Sequence, residues 1–182
     1  MGFGVEQEKL RYIREGANLP EYTHSMIFKS VAEIGEELFV STVEGVTVNT
    51  LDQLMAADAA RLGPRRAAQE YVDGLKELDF NADWWRLGYV DDEIVGLILP
   101  QRFDDTQGAI NYIGVLPKYR GKGYGLPLLV EGTRLLVEGG VTKIYADIDI
   151  ANKPLGAQLE RVGYVFQMDE VVLTFSGIIM LQ

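Results

Sequence analysis

Apolar and polar positions change their period along the chain, and the changes separate strands from helices. Short apolar or alternating runs predict strands at 22–29, 84–90, 93–100, 109–116 and 143–150. Apolar residues at helical spacing predict three helices between residues 30 and 78, with a connection at 45–49, and further helices at 126–138 and 153–161. Two runs at 164–168 and 171–175 predict a final hairpin, whereas residues 5–13 fit a strand or a helix. Strands and helices are therefore mixed along a single chain.

Several helix ends are marked by local signals. Ser30 with Glu33, and Thr50 with Gln53, each have the spacing of a capping box, which predicts that a helix begins just after the serine or threonine. The dipeptide Gly63-Pro64 predicts the end of one helix and the first turn of the next. The region 30–78 is therefore predicted to be largely helical.

The most informative stretch is a basic, glycine-rich loop at residues 118–125, between the strand at 109–116 and the helix at 126–138. Backbone N–H groups at a helix N-terminus attract anions, and glycines let the backbone approach a phosphate closely. Arg120 and Lys122 add positive charge. The loop is predicted to bind a pyrophosphate group.

Three kinds of phosphate-binding loop have glycine patterns similar to this stretch. A Walker A loop is excluded, because Lys122 is followed by Gly123 rather than by serine or threonine. Gly121, Gly123 and Gly125 form G-x-G-x-G rather than the G-x-G-x-x-G of dinucleotide-binding proteins. That second class stays open as an alternative, since Asp147 or Asp149 lies roughly where a ribose-binding acid would fall. The third pattern, Arg/Gln-x-x-Gly-x-Gly/Ala, is matched from Arg120 to Gly125.

This third pattern resembles the coenzyme A loop of the GNAT acetyltransferase superfamily. Three further features are similar to that superfamily: the V-x-P junction at Val115, the residue Asn152 after a strand, and the pair Gly163-Tyr164 after a short helix. The close resemblance covers about residues 84–166. It implies a single α/β (α+β) domain over residues 1–182, with an enlarged helical region at about 30–78. Its mixed central sheet would contain two parallel strands that splay apart and would be flanked by helices.

The resemblance also implies a cofactor and a reaction. Acetyl-CoA would lie between the splayed strands and donate its acetyl group directly to a primary amine of a small molecule or peptide. A backbone N–H of Val115 or Leu116 would stabilise the oxyanion. The implied cofactor-binding residues are Ile113, Val115, Leu116, Arg120, Gly121, Lys122, Gly123, Tyr124, Gly125, Leu126 and Asn152. An acyl-CoA-binding module without catalysis is the main alternative, and a dinucleotide-binding oxidoreductase domain is the other.

The catalytic groups are less well indicated than the cofactor loop. Many family members carry, four residues before the Gly-aromatic pair, a tyrosine that acts as the general acid. In this sequence that position is Leu159. The remaining candidate proton donors are four tyrosines, Tyr119, Tyr124, Tyr145 and Tyr164. Asp147 is the candidate general base, since its face of the predicted strand would border the gap. If it is not the base, water or a carboxylate of the helical region, Glu36 or Glu37, would take the proton.

Composition narrows the classes of partner. The net charge is −10, which argues against nucleic acid and mildly favours a cationic substrate. With no cysteine and one histidine, neither a thiol nucleophile nor a transition-metal site is expected, so the reaction is predicted to need no metal. The chain lacks the apolar length of a membrane helix and the form of a signal peptide, so a cytoplasmic location is predicted. The apolar tail at 178–181 is predicted to pack onto the domain or to join two subunits of a homodimer.

Overall fold

The computed structural model describes residues 3–19 and 22–175. Within them lie seven strands: β1 Phe3–Glu15, β2 Ile27–Ser30, β3 Arg86–Val90, β4 Glu93–Arg102, β5 Gln107–Val115, β6 Lys143–Asp149 and β7 Val165–Phe175. The same residues form six α-helices: α1 Val31–Ile34, α2 Glu36–Thr47, α3 Gln53–Leu62, α4 Pro64–Lys76, α5 Gly125–Glu138 and α6 Lys153–Arg161. The predicted packing of the tail at 178–181 falls outside the described residues.

The described strands form one mixed sheet in the order β2-β3-β4-β5-β6-β1-β7. β5 and β6 are parallel, and every other neighbouring pair is antiparallel. The parallel pair is in register only from Gln107 opposite Lys143 to Ala109 opposite Tyr145. Beyond Ala109 the two strands separate, which confirms the predicted splayed pair at the centre of the sheet.

The first and last strands of the described residues, β1 and β7, pair with each other in this sheet. Residues 5–13, which the sequence left open, belong to β1, which lies between β6 and β7. The predicted final hairpin is wrong, because β7 is one continuous strand. Asp169 and Glu170, expected to turn, lie opposite Leu10 and Lys9 in the ladder with β1. A partner strand from the far end of the chain continues the pairing, and no local pattern reveals such a partner.

Helices cover both faces of the sheet. On one face, α5 and α6 contribute Leu128, Leu129 and Leu159 to a buried cluster with Ile144 of β6. On the other face, the helices α2 to α4 form a second cluster with the strands, through Phe39, Val43, Ala68, Val72 and Leu97. Ile98 belongs to the first cluster and Leu97 to the second, so β4 is buried on both sides as its apolar run predicts.

The helical region confirms some end signals and corrects others. Ser30 and Glu33 form the predicted capping box, but Gly35, with φ of 82°, ends that helix after one turn. The predicted connection at 45–49 is wrong at its start, because α2 continues through Gly45 to Thr47. The Leu116 side chain lies 2.7 Å from where a Cβ of Gly45 would stand, so the helix passes close to the end of β5.

The second predicted capping box is also wrong. The N-cap of α3 is Asp52, whose carboxylate accepts a hydrogen bond from the Met55 amide at 3.0 Å. Thr50 instead accepts from the Asp52 amide at 3.2 Å. The short carboxylate two residues later satisfies the helix N-terminus better than threonine does. Gly63 and Pro64 separate α3 from α4 as predicted.

Candidate functional site

The glycine-rich loop presents a row of backbone donors at the start of α5. Gly121 and Gly123 have φ of 75° and 85°, a conformation that favours glycine, and open space surrounds both. The amides of Gly121 to Gly125 have no acceptor in the described part of the chain. By contrast, Leu126 donates to Gly123 at 3.4 Å and its side chain is buried, while Arg120 donates to Pro117 at 3.3 Å. Five amides, those of Gly121 to Gly125, are therefore placed to bind an anion.

A cleft of about 640 Å³ runs from this loop toward the sheet. The loop forms one side through Arg120, Gly121, Gly123, Tyr124 and Gly125. The segment between α2 and α3, the end of β5 and the beginning of α6 form the remaining walls. The cleft meets a second cavity, of about 50 Å³, between the splayed strands, because Thr50, Tyr112, Ile113, Asn152 and Leu155 line both. Together they connect the loop to the gap in the sheet.

The edge of β5 that faces this gap carries free strand positions. Leu116 donates its amide to the Val95 carbonyl at 2.9 Å, and Val115 stands opposite Gly96. Bonded and non-bonded pairs alternate along an antiparallel ladder, so the backbone groups of Val115 and Ile113 point away from β4. The sequence suggested the backbone N–H of Val115 or Leu116 as the oxyanion donor. The Leu116 N–H is hydrogen-bonded to β4, and the Val115 N–H therefore faces the gap.

Of the three cationic side chains of the loop, Lys118 pairs with Glu93 at 2.6 Å, and Arg120 and Lys122 differ in their surroundings. The Arg120 guanidinium donates to the carbonyls of Val115 at 3.0 Å, Asn49 at 2.9 Å and Val46 at 2.8 Å. It thereby joins the loop to the end of α2, whereas the sequence suggested a phosphate contact. Lys122 has no carboxylate partner among the described residues, and its ammonium lies 5.3 Å from the Tyr119 ring centre. Lys122 is the loop cation available to a ligand.

Comparison with known proteins decides the family. The profile described as "Acetyltransferase (GNAT) family" matches residues 51–164, which include the loop, the splayed strands and α6. The chain belongs to this GNAT family. Its members in general use acetyl-CoA as the acetyl donor. The predicted resemblance and fold class are confirmed.

Individual relatives agree with this assignment. A mycothiol acetyltransferase of Corynebacterium efficiens is 32% identical over 81 residues, which are 44% of this chain and 27% of the relative. The acetyltransferase SG1711 of Sodalis glossinidius is 31% identical over 102 residues, covering 56% of this chain and 70% of the relative. The crystal structure of a GCN5-related N-acetyltransferase from Sphaerobacter thermophilus has a TM-score of 0.69 at 18% identity and shares the fold. That match covers 94% of this chain and 52% of the Sphaerobacter chain, so the GNAT chain spans about half the length of that neighbour.

Asn152, which the GNAT resemblance implies as a cofactor-binding residue, stands at the N-terminus of α6. It precedes α6 without capping it, because its side chain makes no hydrogen bond to the helix N-terminus. The residue lines both the cleft and the cavity between the strands. Its amide is therefore in a position to bind a ligand that passes from one to the other.

Asp147 lies where the sequence put it, beside the strand gap, but it is held by an arginine. The Arg11 guanidinium donates to both of its carboxylate oxygens, at 2.8 and 2.7 Å. Arg11 stands directly opposite Asp147 in the β1–β6 ladder, and both side chains are about 29% exposed. Proton uptake by Asp147 would disrupt this bidentate pair, which weakens its case as a general base.

A second carboxylate on the same face of β6 is more deeply placed. Asp149 is 2% exposed and lines the cavity between the splayed strands. Its oxygens accept hydrogen bonds from the Gln53 amide at 3.3 Å and the Ala151 amide at 2.8 Å. Asp149 therefore ties the N-terminus of α3 to the end of β6 across the cavity. Alternation along β6 placed Asp149 beside Asp147, but only the fold shows which is enclosed.

The tyrosines proposed as acids divide by location. Tyr164 is a core residue whose hydroxyl is 2.9 Å from that of Thr133, and burial raises its pKa. Tyr145 donates to Gln107 away from the cleft. Tyr119 and Tyr124 line the cleft, and Tyr119 bonds Glu93. Leu159 is fully buried and lines the strand cavity, so it supplies no proton there.

Sequence reasoning missed Tyr112, which lines both the cleft and the strand cavity. It is 8% exposed, and burial raises its pKa to about 12. The phenol is therefore protonated at neutral pH. Its position in the middle of the motif strand was visible in the sequence, but the direction of its side chain depends on the bulge between β4 and β5.

Proposed function

We propose that this GNAT chain catalyses direct transfer of an acetyl group from acetyl-CoA to a primary amine of a small molecule or peptide. One observation supports this above the others: a single cleft joins five free amides, the unpaired edge of β5 and a buried carboxylate. These are the parts needed to hold a pyrophosphate, align a thioester and accept a proton.

The cofactor would be held along its whole length. The amides of Gly121 to Gly125 and the Lys122 ammonium would bind the pyrophosphate. The pantetheine arm would then lie beside β5, where the backbone groups of Ile113 would pair with its amides as an added strand does, which leaves the Val115 N–H for the thioester. Asn152 would contact the arm from α6. This arrangement brings the thioester to the gap between β5 and β6.

The reaction requires three proton movements around one bond exchange. The ammonium of the acceptor loses a proton, and its nitrogen then forms a bond to the acetyl carbonyl carbon. The Val115 N–H would stabilise the oxyanion until the carbon–sulfur bond breaks. The nitrogen loses its second proton, and the CoA thiolate takes one from its surroundings. The products are the acetylated amine, CoA and one released proton.

We propose that Asp149 accepts the proton from the amine. A water molecule would relay the proton if the amine does not contact the carboxylate directly. Both aspartates line the cavity where the amine must approach, but Asp147 forms a bidentate ion pair with Arg11, whereas Asp149 accepts from the backbone amides of Gln53 and Ala151. We propose Tyr112, which lines the cavity between the splayed strands, as the hydrogen-bond donor to the leaving thiolate. A phenol of pKa about 12 is a weaker acid than a thiol, so it would stabilise the thiolate without fully protonating it.

The assay for this function is release of free CoA thiol from acetyl-CoA in the presence of single amines of different classes: polyamines, amino acids, amino sugars and peptide N-termini. Turnover with one class is expected. Binding of CoA without turnover of any amine would favour the non-catalytic acyl-CoA module. Tighter binding of NADH than of CoA by calorimetry would favour the dinucleotide alternative and contradict the proposal.

The partners and location remain predictions. No helix among residues 3–19 and 22–175 has the length and apolar character to cross a membrane. The same residues contain no group of three histidine, cysteine or acidic side chains placed to hold a metal ion. A cytoplasmic location, a homodimer and metal-independent catalysis are each expected on sequence grounds and remain to be measured.

A further inference from the structure

Gln158 stands out among the side chains that line the cleft. It projects from α6, opposite the segment between α2 and α3, and faces the beginning of α5. Its amide oxygen and nitrogen lie 2.6 and 3.1 Å from where a Cβ of Gly125 would stand. The glycine at this position therefore makes room for the Gln158 amide beside the row of free N–H groups.

The Gln158 side chain carries an unsatisfied acceptor. Its Oε1 atom is buried and has no hydrogen-bond partner in the described part of the chain. A buried acceptor without a donor destabilises the folded protein, and an apolar side chain of similar size would avoid that cost. Since α6 is packed against the core through Leu159 and Leu155, leucine would suit this helix equally well. The polar amide is explained if a ligand in the cleft supplies the donor.

We propose that Gln158 is a cofactor-binding residue that accepts a hydrogen bond from the pantetheine arm of acetyl-CoA. This rests on the proposed function, in which acetyl-CoA fills the cleft. The pyrophosphate offers only acceptors at neutral pH, so it cannot satisfy Oε1. The pantetheine arm carries two amide N–H groups and a hydroxyl, and with the pyrophosphate on the loop amides it would pass Gln158, which lies beside Gly125. Gln158 thus selects for the amide-bearing arm, while the loop binds the phosphates.

The test compares two ligands on the wild type and on Gln158→Leu. CoA contains the pantetheine arm, and adenosine 3′-phosphate 5′-diphosphate carries the same pyrophosphate without that arm. The variant is expected to bind CoA roughly three- to tenfold more weakly by calorimetry, the equivalent of one hydrogen bond. Its affinity for adenosine 3′-phosphate 5′-diphosphate should be unchanged. Its melting temperature without ligand should equal or exceed that of the wild type, because the unsatisfied acceptor is gone.

Gln69→Leu is the matched control, since Gln69 lies on α4, donates to Asp73 and does not line the cleft. It should leave both affinities unchanged. CoA binding within twofold of the wild type in folded Gln158→Leu would overturn the proposal. Equal losses for both ligands would also overturn it, because Gln158 would then act on the phosphate loop. Should the leucine variant not fold, Gln158→Met carries the same test. Failure of wild-type protein to bind CoA would instead refute the proposed function.

Discussion

A basic residue in the glycine-rich loop can either hold the fold together or attract phosphate, and variants of Arg120 and Lys122 separate these two roles. The guanidinium of Arg120 donates to three backbone carbonyls, of Val115, Asn49 and Val46. We predict that Arg120→Ala loosens the wall between α2 and α3, and that Lys122→Ala does not. Lys122→Ala should instead weaken only the attraction of the loop for phosphate.

The magnitudes follow from these contacts. Because Arg120 is exposed, each lost hydrogen bond is worth about 0.5–1 kcal/mol, so Arg120→Ala should lower the free energy of unfolding by about 2 kcal/mol. For a chain of 182 residues that corresponds to a fall in Tm of about 4–8 °C. Lys122→Ala removes one exposed charge near a phosphate, worth about 1 kcal/mol, or roughly a fivefold loss in CoA affinity that shrinks as salt is added.

The assay combines thermal unfolding with calorimetric titration of CoA at low and high salt, and adds amide hydrogen exchange over residues 46–53. Faster exchange in this segment is expected for Arg120→Ala alone. The reasoning is refuted if Arg120→Ala melts like the wild type and loses CoA affinity with the salt dependence of Lys122→Ala. Arg120 would then be a phosphate ligand, as the sequence motif suggested.

Three further predictions concern catalysis and pH. Asp149→Asn should lower kcat by roughly 10²-fold and remove the ascending limb of the pH–rate profile, whereas the kcat of Asp147→Asn should stay within several-fold of the wild type. If variants matched for CoA affinity show the reverse order, Asp147 would be the general base. The folded-state pKa of Tyr112 is raised to about 12 from its ordinary value of 10, so its contribution to stability is complete below pH 10 and is lost as the pH rises toward 12. Measured by urea unfolding, the free energy of unfolding should decline less steeply with pH across this range in Tyr112→Phe than in the wild type. An identical decline in both proteins would indicate that the phenol is exposed to water. Chelators should leave turnover unchanged, and activity restored by one added metal would contradict metal-independent catalysis.

The conformation of the glycine-rich loop could be predicted from sequence because its determinants are local. Positive φ at Gly121 and Gly123 depends on the glycines themselves, and amides at a helix N-terminus are free wherever a helix begins. The same holds for Gly63 and Pro64 between α3 and α4. Local rules were less reliable where two residues competed for one role, as when Asp52 rather than Thr50 capped α3.

The catalytic side of the site depended on contacts between distant parts of the chain. Asp147 and Asp149 are equivalent in the alternation of β6, and they differ only because Arg11 of β1 pairs with one while α3 encloses the other. Arg120 matched a phosphate motif, yet the end of α2 lies close enough to take its hydrogen bonds.

The sequence by itself determined most of the elements between residues 27 and 161, the glycine-rich loop and the family resemblance, since each depends on spacing within a few residues. Only the tertiary structure decided that β1 separates β6 from β7, that residues 165–175 form one strand, and which carboxylate of β6 is enclosed. Strand pairing and side-chain enclosure join residues more than a hundred positions apart, such as Arg11 and Asp147. Their free energy comes from packing and hydrogen bonding between elements, which a pattern within one element does not contain.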